Sequence, residues 1–150
     1  MELNLTQLLY LIKEMPAYKQ LVDQLGQKSD RARAAVLDTA KPYLIAALYQ
    51  SLHRPMLVVT AQPENGKKLY EQLLVWLASD QVKLFPEPDA LPYERITSDN
   101  STEMERLQAL SALANITKDN DTTTKGPPLI LASAPAFMQK TALYSDFTAI

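Results

Sequence analysis

The chain is predicted to be an α/β domain: a mainly parallel sheet with helices on both faces. Three observations predict it. Four short apolar runs, "AAVLD" (34–38), "MLVVT" (56–60), "QVKLF" (81–85) and "LILAS" (129–133), have the length and composition of buried strands. Segments of helical period follow each of them. Polar, proline-containing stretches separate the pairs, the rhythm of a sheet whose strands alternate with helices.

The elements follow in order. Leu5, Leu8, Leu9 and Ile12 recur at helical spacing, and Pro16 ends that helix. A second short helix is expected over 17–27. The polar "KSDRAR" leads into the first strand, 34–38. A helix over 42–52 comes next, with Leu44, Ile45, Leu48 and Leu52 turned inward and Pro42 in its first turn, where no backbone hydrogen bond is lost. "MLVVT" is continuous and β-branched, the pattern of a strand buried on both faces. Beyond the loop "AQPENG", Leu69, Leu73, Trp76 and Leu77 mark an amphipathic helix. A long proline-containing loop follows the third strand. Thr102 and Glu105 have the spacing of a capping box, and Leu107, Leu110 and Leu113 continue that helix. The polar "NITKDNDTTTKGPP" precedes the fourth strand, and a short helix around 134–141 follows it.

Composition narrows the function classes. The 150 residues carry a formal charge of −2, without the basic excess of a nucleic-acid-gripping surface. No cysteine and one histidine, His53, exclude thiolate catalysis, cysteine-ligated zinc and a multi-histidine metal site. No run approaches the ~18 apolar residues of a membrane span. The amino-terminal residues lack the basic region of a signal peptide. A reducing, cytoplasmic setting is expected.

Sites in open parallel sheets gather at the carboxyl ends of the strands. At the first such end stands "AVLDTAKP", 35–42. A phosphate loop reads G-x-x-x-x-G-K-[ST]. Here Ala35 and Ala40 occupy the glycine positions, Lys41 the lysine position, and Pro42 the position of the magnesium-binding hydroxyl. Glycines are needed there for positive φ and close approach of backbone N–H groups to the anion. The stretch is therefore read as a degenerate phosphate loop that binds no nucleotide. A second decoy, "AQPENGKK" (61–68), has Ala61 at the first glycine position and Lys68 where Ser or Thr is required, so Gly66 is read as a turn residue.

The acidic stretch 85–107 holds Glu87, Asp89, Glu94 and Asp99. Paired carboxylates could bind magnesium or move protons. No histidine or ordered ligand spacing accompanies them, and a solvated loop with Leu91 and Tyr93 packed on the domain is the reading adopted. Arg106 is expected to pair with one of these acids. His53 is read as a surface residue and Trp76 as core. No catalytic residue and no metal site is expected.

The order of these pieces resembles the N-terminal domain of the bacterial transcription-repair coupling factors (Mfd). The residues that carry the resemblance are Phe85, Pro86, Leu91, Pro92, Tyr93, Glu94, Arg106 and Leu107, with "RPMLVVT" before them and "LILASAPAFMQ" after. It covers roughly 30–143, and Leu-Pro-Tyr-Glu is its most specific part. The same region of that family is similar to the first part of the excision-repair helicase subunit UvrB, whose phosphate loop is intact. Lys41 stands thirteen residues before Arg54-Pro55, the register of the UvrB lysine. The long tyrosine-rich hairpin with which UvrB holds DNA has no room between Phe85 and Arg106.

The resemblance implies a P-loop-NTPase-like, UvrB domain 1-like fold with a degenerate nucleotide site. It divides the chain into a helical extension (1–28), the α/β domain (29–143) and the start of a link to a next module (144–150). The fragment itself is then neither an enzyme nor a cofactor binder. ATP and magnesium belong to the parent's motor domain, and DNA is held by that motor. UvrA and RNA polymerase are engaged through the parent, and other domains of the same chain are contacts of this one. A nucleotide-binding UvrB-type helicase fragment and a free-standing interaction module are the alternative readings.

Overall fold

A computed structural model describes residues 5–26, 31–88, 100–118 and 126–141. Among them are α1 (Pro16–Gly26), α2 (Lys41–Leu52), β1 (Met56–Thr60), α3 (Pro63–Leu73), β2 (Val82–Phe85), α4 (Asn100–Lys118), β3 (Leu129–Ser133) and α5 (Ala134–Met138). A 3-10 helix, Thr6–Glu14, precedes α1. The three described strands form one all-parallel sheet in the order β1-β3-β2. Leu129 of β3 is in register with Met56 on one side and Val82 on the other.

The central strand explains the two layers. All five residues of β3 are buried, as a strand sandwiched between helical layers must be. Leu129 and Leu131 join Val82, Leu73, Ala46, Ala47, Leu9 and Ile12 in one core. Ile130 and Ala132 point to the other face and pack with Phe85, Ala109 and Ala136. Successive side chains of a strand alternate between faces, so one strand feeds both cores. Each fully buried leucine contributes about 1.5–3 kcal/mol of hydrophobic stabilisation.

The fold agrees with the α/β expectation, helices on both faces included, but four local expectations are corrected. The run 34–38 is not a strand: residues 31–37 have no regular structure and Asp38–Ala40 form a 3-10 turn. Its two alanines are poor strand formers, Leu37 is 79% exposed, and no described strand pairs with it. The strand β1 is covered on one face only. Met56 and Val58 pack on the larger core, whereas Leu57 and Val59 are 50% and 48% exposed. The strand stands at the edge of the described sheet, and α4 lies over β2 instead.

Thr102 and Glu105 are not a capping box, because α4 already begins at Asn100. Trp76 and Leu77 lie past the end of α3, in the turns after Leu73. Both still pack into the core: Leu77 is buried, and the half-buried Trp76 ring meets Tyr43 at 5.1 Å between centroids.

The helices over 6–26 are bound into this core. Leu9, Ile12 and Tyr18 are buried with α2 and α3 residues. The Leu5 N–H donates to the Val75 carbonyl, and the Thr6 hydroxyl to the Trp76 carbonyl at 2.6 Å. The Tyr43 hydroxyl donates to the Leu8 carbonyl at 3.0 Å. Helix α2 tolerates this crowding because its middle is small: Ala46 and Ala47 are both fully buried and let neighbouring backbones approach.

Candidate functional site

The stretch read from the sequence as a degenerate phosphate loop is the lead-in to α2. A phosphate loop offers a run of free backbone N–H groups to an anion. At the last three positions of this stretch no such group is free. The Ala40 N–H donates to the Leu37 carbonyl at 2.9 Å, and the Lys41 N–H to the Asp38 carbonyl. Pro42 has no N–H. Three consecutive positions thus have no N–H free for a ligand. Ala40 and Lys41 both have right-handed backbone angles, so the chain continues from the 3-10 turn straight into the helix. Pro42 fits that path in the first helical turn, and it is buried.

The lysine is also engaged. Lys41 Nζ lies 2.6 Å from the Asp38 carboxylate, an i,i+3 pair with both side chains largely exposed. The hydrogen bond from Lys41, then its charge, holds the Asp38 carboxyl below its ordinary range. A pair so exposed contributes little to stability. Its chemical meaning is that the one cation of the degenerate loop faces a carboxylate of its own turn.

At the second decoy, Gly66 is not a turn residue. It is buried in the first turns of α3, and its N–H donates to the Gln62 carbonyl at 3.2 Å. A Cβ built there would stand 3.1 Å from Thr60 Oγ1. The Thr60 hydroxyl in turn donates to the Gln62 carbonyl at 2.9 Å. Glycine stands here for a close approach between β1 and α3, and Lys67 and Lys68 are exposed.

Of the motif residues between Phe85 and Leu107, the positions Leu91, Pro92, Tyr93 and Glu94 lie outside the described residues, as do Asp89 and Asp99. The structure brings together Phe85, Pro86 and Arg106. The Arg106 guanidinium carbon sits 4.1 Å from the Phe85 ring centroid, and its Nη1 donates to the Pro86 carbonyl at 2.5 Å. Partial burial lowers the Arg106 pKa. The described partners of Arg106 are therefore a ring face and a carbonyl; Asp89, Glu94 and Asp99, three of the acids expected to pair with it, lie outside the described residues. The contact clips the end of β2 to α4 from the two ends of the intervening chain. Leu107, next in sequence, points away and is 49% exposed.

Two groups escaped sequence reasoning. His53 ends α2 in the left-handed region, φ 47°, with its N–H on the Tyr49 carbonyl. Glycine or asparagine is the usual signal for such an end, and histidine gives a weaker one. Tyr49 is buried, and its hydroxyl donates to the Pro127 carbonyl, tying α2 to the start of β3. Burial, then the nearby Asp80 charge, raises its pKa. The apolar pattern of α2 gave no reason to single out that hydroxyl.

Recesses in the surface lie elsewhere. One of about 700 Å³ runs along α4 and is lined by Pro55, Lys83, Met104, Leu107 and Pro128. A second, of about 350 Å³, lies among Lys13, Tyr49, His53 and Gln81. Both lie where the chain enters the strands, opposite the carboxyl ends, and neither is lined by Lys41. Among the described residues, no group of three acidic or histidine side chains could hold a metal ion, and no helix is long and apolar enough to cross a membrane.

Over 134 residues, 88% of this chain, it is 30% identical to transcription-repair-coupling factors from Mycobacterium bovis and Mycobacterium tuberculosis. The resemblance read from the sequence therefore holds. A Rickettsia bellii protein of the same name is 26% identical over 98 residues, 65% of the chain. The similarity is the size of a domain: the chain spans about a tenth of the length of these curated relatives. No protein-family model matches it.

Proposed function

We propose that this chain is a non-catalytic scaffold module of a transcription-repair coupling factor, and so acts in DNA repair. The observation that carries the non-catalytic part is the lead-in to α2. The Ala40 and Lys41 N–H groups are consumed by the turn, Pro42 has none, and Lys41 is paired with Asp38. At these three positions a nucleotide phosphate finds no free N–H, and the lysine already faces a carboxylate. The similarity to coupling factors supports the parent's identity.

In this reading the fold of a UvrB-like ATPase domain is kept as a framework while its nucleotide chemistry is lost. ATP hydrolysis, magnesium and DNA contact belong to a motor elsewhere in a longer cytoplasmic parent. RNA polymerase and UvrA are engaged through that parent, and this module supports the platform on which UvrA docks. Isothermal titration with ATP and magnesium tests the module's part. The expected result is no heat of binding up to millimolar nucleotide. Micromolar affinity that disappears in Lys41→Ala would overturn the proposal and favour a nucleotide-binding UvrB-type fragment.

A further inference from the structure

We draw no further inference here: the strongest candidate, the half-exposed apolar face of the edge strand β1 at Leu57 and Val59, carries nothing because nothing in the structure shows what covers it.

Discussion

The lead-ins to α2 and α3 look alike in sequence and differ in substance. Each has a lysine in a stretch that resembles part of a phosphate loop, Lys41 at the first position of α2 and Lys67 in the second turn of α3. Before α2 the backbone closes on itself in a 3-10 turn, and its charged side chains are exposed and paired with each other. Before α3 the chain leaves β1 directly, and a buried glycine lets the helix approach Thr60. Gly66 stands where packing needs it. The positions where a phosphate would need glycine hold alanine.

This contrast can be broken by substitution, and the largest effect belongs to the packed junction. Gly66→Val puts a branched side chain where even a Cβ would lie 3.1 Å from Thr60 Oγ1. Overpacking of this kind destabilises by about 1–3 kcal/mol, measurable by urea denaturation. An unchanged midpoint would mean that the junction is looser than described. Next comes Arg106→Ala, which removes the contact over Phe85 and the hydrogen bond to Pro86. A loss of about 1–2 kcal/mol is expected. Arg106→Lys should recover only part of it, because an ammonium lacks the flat, forked shape.

A smaller effect, of opposite sign, is expected at the far end of α2. His53→Gly relieves a left-handed backbone that disfavours side chains by about 1–2 kcal/mol, less the added flexibility of glycine in the unfolded chain. A net gain of about 0.5 kcal/mol should appear as a higher denaturation midpoint.

The smallest effect is at the exposed junction. Lys41→Ala should leave the denaturation midpoint unchanged, as the pair it breaks is solvated. Its signature is electrostatic. The folded Asp38 carboxyl is held below its ordinary pKa, so the pair acts above that ordinary value and is lost as pH falls through the lowered one. In Lys41→Ala, a carbon-detected NMR titration should show the Asp38 pKa moving up toward the ordinary range.

Sequence periodicity carried the frame of this molecule better than its joints. "LILAS" reads as a strand covered on both faces, and β3 is one, because a central position demands apolar residues in both directions. "MLVVT" reads the same way, yet β1 is half open. An apolar run records that a residue tolerates burial, not that a neighbour supplies it. "AAVLD" fails as a strand for a related reason: strand pairing is a property of two segments, and no described strand lies beside this one.

The reading of 35–42 as a degenerate phosphate loop rests on residue types, two absent glycines and an absent hydroxyl. The closing of the Ala40 and Lys41 N–H groups into a turn was not legible in them, since it depends on backbone angles. Arg106 marks the same limit. Acids crowd its sequence neighbourhood, which suggests an ion pair. The fold sets a ring and a carbonyl against its guanidinium, because α4 packs along β2, while Asp89, Glu94 and Asp99 lie outside the described residues. The resemblance to coupling factors rested on Phe85, Pro86 and Arg106 among others, and those three meet in space.

The Ala40 and Lys41 backbone donors before α2 are committed to the turn and should therefore be closed to phosphate. Amide NMR tests this directly: titrate the 15N-labelled chain with ATP and magnesium and follow the Ala40 and Lys41 N–H resonances. Neither should move beyond the shift produced by sodium chloride of equal ionic strength. A saturable shift at both amides, abolished by Lys41→Ala, would contradict this.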